Sequence, residues 1–408
     1  MDSLTAKHIK EPSSKSKRLI SLDALRGFDM FWIISGEGIF HGLANGIMEK
    51  YALVRNPVDW RIPSDEHLSF FERILIGLSN QLHHSPWNGF TFYDLIFPLF
   101  IFISGVSMPF SYQKFFDERQ QNEHSSKKIF KALIKRTITL IILGIIVNGL
   151  FKWNGYEHTR FASVLGRIGL STFFAALIYL NFSLYKQVIW FLSILVGYYL
   201  LMILVPVPGF GQGNFTPEGN LSAYVDRLFL PGKLHRIVYD PEGLLSTIPA
   251  ICSALFGVFT GTFLKTSFSK ITPSKKTILL LLGGICSIIA GLLWNLIFPI
   301  NKTMWSSSFV LFAGGVSIIL FALFYYIIDV KSYAKWSIPF IWIGTNSILI
   351  YVLAHGLFNF ESSSQFIFGG LINLIPKDYQ QAGLWTGILL IQLFLLRFCY
   401  QKKWFLKI

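Results

Sequence analysis

The apolar residues of the chain are grouped in ten runs, each close to the length that crosses a bilayer, with polar stretches between them. An apolar segment of about 20 residues crosses the hydrocarbon core as an α-helix, because a helix satisfies its backbone hydrogen bonds internally. The pattern therefore predicts an all-α fold, a polytopic transmembrane helix bundle. The predicted spans are 25–44, 90–112, 135–151, 161–182, 187–207, 243–264, 276–300, 305–330, 336–358 and 382–400.

The composition agrees with a membrane protein. Hydrophobic residues make up 52% of the 408 residues and charged residues only 14%, whereas a soluble domain carries about 25% charged residues. The net charge is +14, but the basic residues lie in loops between apolar runs and do not form one face or patch. That distribution sets membrane topology. We therefore expect a lipid bilayer as the environment and no nucleic-acid partner.

The basic residues also predict the orientation. Lys and Arg are dense in alternate loops, which the positive-inside rule places in the cytoplasm. These stretches are the N-terminus, 114–136, 265–276, 331–335 and 402–407. Both termini are therefore predicted to be cytoplasmic, with a basic tail and a single transmembrane domain. The predicted boundaries are 1–20 for the tail and 21–408 for the domain, with long outer loops at about 45–89, 208–242 and 359–381.

The densest group of reactive residues surrounds the start of the second predicted span. His84 precedes this span and Asp94 lies in its first turns. Histidine titrates near neutral pH and is a frequent general base, and a carboxylate at membrane depth is costly unless it has a function. Two interpretations follow. Either Asp94 orients the imidazole of His84, or the histidine is solvated and Asp94 only caps the helix.

The first predicted span holds further charged residues. Arg26 lies three residues after Asp23, so the two share a helix face and can pair. Glu37 and His41 are spaced i, i+4 near the outer end of the span. That spacing fits either a structural pair or a role at the same cavity as His84.

Other polar residues lie at the starts of the fourth and sixth predicted spans. Arg167 is too deep to reach the interface, so we expect it to pair with Asp29 or Asp94, or to hold an anion. Asp240 is suited to cap the sixth span, and Glu242 to interact with its helix dipole. Either acid could also bind an amine or hydroxyl group of a substrate.

The ninth predicted span contains Asn346, whose amide is suited to a hydrogen bond between helices. His355, nine residues later, does not share its face. Motifs for a phosphate-binding loop, a zinc site or a nucleophile elbow are missing from the sequence. We therefore expect chemistry without a metal.

Several short strings, in order from end to end of the chain, resemble the heparan-α-glucosaminide N-acetyltransferase family and its bacterial members. They include Asp23-Ala24-Leu25-Arg26-Gly27 and the block from His84 to Asp94 and Pro98. The matching segments are 21–27, 84–98, 164–168, 239–243, 301–306, 346–352 and 402–408. Each string is short, but together they are specific and cover nearly the whole chain.

The resemblance implies a transmembrane acyltransferase. It implies that an acetyl group moves from cytosolic acetyl-CoA, the co-substrate, to the amine of a terminal glucosamine across the membrane. The family's catalytic histidine falls on His84 and its acidic partner on Asp94, while Glu37 stands where the family has a functional asparagine. The resemblance also suggests a homodimer, and we expect a multi-pass protein of the bacterial inner membrane.

The complete set of candidate site residues combines motif matches with position. The catalytic candidates are His84, Asp94 and Glu37. The candidate substrate-binding residues are Trp87, Asn88, His41, Asp240, Glu242, Asn346 and His355, and the candidate cofactor-binding residues are Arg26, Arg136 and Arg167. Two other functions stay open at this point, an O-acetyltransferase of an envelope polysaccharide and a sugar transporter.

Overall fold

A computed structural model describes residues 19–57, 60–63, 65–113, 116, 124–150, 155–266 and 271–406. Within these residues there is no β-sheet, only two isolated bridges, so the all-α prediction is confirmed. The helices are α1 Ile20–Phe31, α2 Glu37–Lys50, α3 Phe70–Gln81, α4 Phe92–Ser111, α5 His124–Val147, α6 Val164–Asn181, α7 Leu184–Leu204, α8 Leu221–Phe229, α9 Thr247–Lys265, α10 Pro273–Trp294, α11 Ser307–Phe324, α12 Ile338–Thr345, α13 Ser347–Val352, α14 Phe360–Ile372 and α15 Gln380–Gln401.

Seven of the described helical segments are long and apolar enough to cross a membrane, and a bent pair, Lys335–Thr345 with Ser347–Leu357, makes up to eight. The first and third predicted spans also coincide with helices. The first is α1 and α2, joined through a π-helical turn at Trp32–Gly36, and the third is α5. Ten spans and cytoplasmic termini therefore stay predictions. Nearly all of the predicted tail, 1–20, lies outside the described residues.

Helix α4 lies at the centre of the bundle. Of its most apolar stretch, 83% is buried, against 28% for α7 and for α10, so α7 and α10 present most of their surface outward. α4 packs directly on the backbone of α9. A Cβ atom at Gly105 would lie 2.0 Å from the carbonyl oxygen of Ala254, and one at Gly257 would lie 2.0 Å from that of Phe102. Small residues at such a crossing allow close helix packing in a membrane.

The segment after α11 is a broken helix. α12 and α13 meet at Asn346 with a bend of 65°, and a π-helical turn at Leu353–Leu357 follows. α14 then packs along α15, where the Ser364 hydroxyl donates to the carbonyl of Leu384.

Helix α14 occupies most of 359–381, the segment predicted to be the third long outer loop. The segment is therefore partly helical, and its position outside the membrane stays a prediction. A helix of 13 residues is too short to cross a bilayer alone, so a search for full-length apolar spans does not detect it.

Candidate active site

Helix α4 starts with a capping box, which also fixes the position of the carboxylate of Asp94. Oδ2 of Asp94 accepts hydrogen bonds from the backbone N–H of Thr91 and of Ser85, each at 3.1 Å. The Thr91 hydroxyl also lies 3.1 Å from Oδ2. These donors occupy one carboxylate oxygen and cap the helix. The other oxygen, Oδ1, is left to face His84.

His84 and Asp94 are in direct contact. Nδ1 of His84 lies 2.8 Å from Oδ1 of Asp94. Asp94 is 1% exposed, whereas 52% of the His84 side chain is accessible, because it faces a cavity inside the bundle. When Nδ1 donates to the carboxylate, Nε2 of the neutral ring carries the lone pair. Asp94 thus caps the helix and also contacts the imidazole, so it does more than the cap of the second interpretation.

Lys302 completes this group. Its Nζ lies 3.2 Å from each ring nitrogen of His84 and 3.8 Å from Oδ1 of Asp94. Burial and the charge of Lys302 lower the pKa of His84, against the opposite effect of Asp94. Burial also lowers the pKa of Lys302 itself. The sequence analysis missed this residue, although it lies inside the matched segment 301–306.

A first cavity of about 180 Å³ opens beside these residues. It lies between α1, α4, α6 and α13. Its polar side chains include His84, Lys302 and Glu242, and its walls are largely apolar, with Met30 and Phe100 among them. A reactive polar end and apolar walls suit a ligand with one polar reacting group on a long chain.

Arg160 connects the start of α6 to the segment that precedes α9. It binds Asp240 through two hydrogen bonds, Nε to Oδ2 at 2.8 Å and Nη2 to Oδ1 at 2.6 Å, and also contacts Glu242. Burial opposes ionisation of both partners, but their mutual attraction prevails. It raises the pKa of Arg160 and lowers that of Asp240. Asp240 is thus paired with Arg160 through both of its carboxylate oxygens. Glu242 also lines the first cavity.

Arg167 pairs with neither Asp29 nor Asp94 in the described part of the chain, so the pairing alternative was wrong, whereas its role in holding an anion stays a prediction. Its Nη2 donates to the carbonyl of Gly243 and to the Ser246 hydroxyl, and its guanidinium carbon lies 5.0 Å from the ring centroid of Trp305. Within the described residues, its Nε and Nη1 and both carboxylate oxygens of Asp29 have no hydrogen-bond partner. The arginine is held by a carbonyl, a hydroxyl and an aromatic face.

Glu37 and His41, although one turn apart, have different surroundings. Glu37 interacts with the hydroxyl of Tyr93 and lines a second cavity of about 510 Å³. His41 has its Nδ1 2.8 Å from the Ser79 hydroxyl and stacks on His83. Glu37 therefore lies next to the first cavity through Tyr93, whereas His41 packs against α3 and the following loop.

The second cavity adjoins the first. Ile33 and His355 line both. His355 stacks on Tyr351, with Nδ1 3.1 Å from its carbonyl oxygen. The polar residues that line the second cavity are Glu37, His355, Asn359, Glu361 and Gln392.

Trp87 and Asn88 bind neighbouring segments of the protein. The Trp87 indole donates to the carbonyl of Phe215 at 2.8 Å. Asn301 donates to the carbonyl of Trp87 and to the side chain of Asn88. These contacts hold the segment before α4 against the one that carries Lys302. Both residues therefore help to position the segment beside the site, and their substrate-binding role stays a prediction.

Three further candidates lie away from both cavities. Asn346 donates to the carbonyl of Trp404 and accepts from the N–H of Leu406. Arg26 lies 3.6 Å from Asp23, the pair that the sequence predicts. Arg136 donates to the Thr172 hydroxyl. The structure does not bring these three to His84, and their ligand-binding roles stay predictions.

Among the described residues, no group of three or more His, Cys, Asp or Glu side chains is placed to hold a metal ion. The cations at the site are Lys302 and the more distant arginines.

Comparison with known proteins gives two curated relatives of the same name. The chain is 29% identical over 323 residues to the heparan-alpha-glucosaminide N-acetyltransferase of Mus musculus. It is 30% identical over 329 residues to that of Homo sapiens. Each match covers 66% of this chain and 48% of the relative, so the chain spans about half the length of the curated relatives it matches. No family model matches the chain.

Proposed function

We propose, since the chain belongs to the heparan-alpha-glucosaminide N-acetyltransferase family, that it is a membrane-embedded acetyltransferase. Its donor is acetyl-CoA and its acceptor is the amine of a terminal glucosamine on the far side of the membrane. Its location is the bacterial inner membrane. The observation that carries the proposal is the group of His84, Asp94 and Lys302 at the polar end of the first cavity.

The first cavity receives the acetyl end of the donor. Its largely apolar walls run from His84 toward Phe100 and Ile168 on α4 and α6. A thioester on a flexible chain fits such a passage, and a dry passage limits hydrolysis of the thioester. The phosphates of coenzyme A then lie toward the cytoplasmic end, where Arg136 is the candidate cation.

His84 acts as the base. Held by Asp94, its Nε2 takes a proton from the attacking amine, whose nitrogen forms a bond to the thioester carbonyl carbon. The carbonyl oxygen becomes an oxyanion, and the ammonium of Lys302 stabilises it. The C–S bond then breaks, and the coenzyme A thiolate takes the proton from His84. A substrate that arrives as an ammonium ion releases one further proton to solvent.

An alternative mechanism, with two half-reactions, uses the same atoms. In it Nε2 of His84 attacks the thioester first, and the acetyl-imidazole then reacts with the amine. Rapid quenching of the enzyme with acetyl-CoA alone distinguishes the two mechanisms, because only the second leaves a labelled histidine.

The proposal is tested with purified protein in detergent, radiolabelled acetyl-CoA and glucosamine. We expect labelled N-acetylglucosamine from the wild type and none from His84→Ala. His83→Ala is the matched control, because His83 is the adjacent histidine and does not line the first cavity. Its activity should stay near that of the wild type.

Other products would overturn the proposal. A labelled product that hydroxylamine cleaves would indicate an ester, and hence O-acetylation. Transport of unmodified sugar without consumption of acetyl-CoA would indicate a transporter. Full activity of His84→Ala would remove this histidine from the mechanism.

A further inference from the structure

The second cavity lies where the chain between α13 and α14 is broken. The turn Leu353–Leu357 and the start of α14 form one side, and Trp385, Ile388 and Gln392 of α15 form the other. α15 runs from Gln380 to Gln401, so Ile388 and Gln392 lie near its middle and Trp385 lies in its second turn. The break therefore lies beside the central part of an apolar helix and not beyond its end.

A break at this level has a physical consequence. Polar side chains and non-helical backbone are stable at membrane depth only where they face protein or a water-filled cavity. His355, Asn359 and Glu361 are exposed at the break and line the same cavity as Glu37. The cavity is therefore a hydrated space that reaches into the bundle.

The charges of the two cavities differ. Glu37 and Glu361 line the second cavity, and none of the described residues that line it is Lys or Arg. The first cavity contains the cation Lys302, and its acid Glu242 is in contact with Arg160. An anionic donor with phosphate groups is disfavoured in the second cavity, whereas a cationic ligand is favoured there.

Other lining groups suit a sugar. Trp385 supplies an aromatic side chain that suits the apolar side of a pyranose ring, and Asn359 contributes an exposed amide. Glu37 is also in contact with Tyr93, which lines the first cavity. A ligand amine beside Glu37 is thus next to the cavity that contains His84.

We propose that the second cavity is the acceptor subsite, which binds a cationic amino sugar between Glu37, Glu361 and Trp385 and delivers its amine to the first cavity. This inference rests on the proposed acetyltransferase function. It assigns the donor and the acceptor to separate cavities that meet at Ile33 and His355.

The kinetic test compares Glu361→Gln with Glu66→Gln, an exposed glutamate that lines neither cavity. Loss of a charged hydrogen-bond partner should raise the KM for glucosamine by about 10- to 100-fold. The KM for acetyl-CoA should stay unchanged in both variants. An unchanged KM for glucosamine in Glu361→Gln would overturn the subsite while leaving the acetyltransferase function intact.

A second test does not depend on turnover. Leu357 lines the cavity and is 52% exposed, so Leu357→Cys can be labelled with a water-soluble maleimide. The background is Cys286→Ser, because Cys286 is exposed whereas Cys252 and Cys399 are buried. Glucosamine should slow the labelling, and glucose, which lacks the cation, should not. In combination with Glu361→Gln the protection by glucosamine should disappear.

The outcomes separate the two proposals. Protection by glucosamine without any acetyl transfer would support the subsite and contradict the enzyme. An unreactive cysteine, or equal protection by glucose and glucosamine, would overturn the subsite even in an active enzyme.

Discussion

The ammonium of Lys302 lies over the imidazole face of His84, at 3.2 Å from both ring nitrogens. If Nζ of Lys302 lay in the ring plane at equal distance from both ring nitrogens, it would overlap Cε1 of His84. Nζ therefore lies out of that plane. Burial and the cation lower the pKa of His84, whereas Asp94 at Nδ1 raises it, and the net shift is downward. The lowered pKa favours the neutral form that a base requires.

Removal of the charge at Lys302 should change the pH profile of the proposed acetyl transfer. In Lys302→Met the pKa of His84 should rise, because Asp94 still raises this pKa whereas the cation no longer adds to the lowering by burial. The acid limb of kcat/KM against pH should move to higher pH. The plateau should also fall by about 100-fold, since one stabilising group for the oxyanion is lost.

Lys302→Arg is the matched control, because it keeps a positive charge. Its acid limb should stay near that of the wild type. A Lys302→Met profile that is lower at every pH but has an unmoved acid limb would show that Lys302 does not set the ionisation of His84.

Replacement of the carboxylate at Asp94 should affect both kcat and stability, and the two losses report its catalytic role and its capping role separately. We expect Asp94→Asn to lower kcat by about 100-fold or more, since the imidazole loses its orienting partner. It should also cost about 1 kcal/mol of stability through the weakened cap. The two effects are measured as kcat with saturating substrates and as the midpoint of thermal unfolding.

Glu72→Gln provides the comparison. Glu72 closes a similar capping box with Ser69 at the start of α3, away from both cavities. Its replacement should lower stability by a similar amount without an effect on kcat. Equal losses of kcat in the two variants would contradict a specific role of Asp94.

The Arg160 pair should contribute mainly to stability. Arg160→Met leaves Asp240 buried without its partner, which costs about 3–5 kcal/mol. Thermal unfolding in detergent measures this loss. Asp240→Asn in the same chain should recover part of it, because the unpaired charge is removed. If the double variant is less stable than Arg160→Met, the pair is not the source of the effect.

Asp226 should make stability fall as the pH rises. Asp240, whose pKa is lowered, has the opposite effect. Burial raises the pKa of Asp226 to about 7, whereas the unfolded chain releases this proton at about pH 4. Between these values the folded state holds a proton that the unfolded state has lost, so stability falls as the pH rises. Asp226→Asn should therefore unfold at higher temperature than the wild type at pH 8, and with less dependence on pH. An unchanged slope would contradict the burial of its charge.

Elements with a local signal were predictable from the sequence. Apolar runs located a helix at each predicted span, and the separation of ten positions from His84 to Asp94 indicated that a short loop could bring the two together. Helix α14 was not predicted, because its 13 residues fall below the length of a span.

Contacts between distant segments could not be predicted in this way. Lys302 is separated from His84 by 218 residues, and its placement depends on the packing of α4 beside α9 and α11. Arg167 was expected to pair with an acid, but it contacts a carbonyl, a hydroxyl and the Trp305 ring instead. Charge balance alone gives no information about such neutral partners.

The carboxylate of Asp94 both closes the first turn of α4 and holds the ring of His84. The reactive histidine is therefore assembled only after that turn has formed. Under the proposed mechanism, orientation of the base is therefore coupled to the folding of one helical turn, and a chain in which the start of α4 is frayed lacks an oriented imidazole.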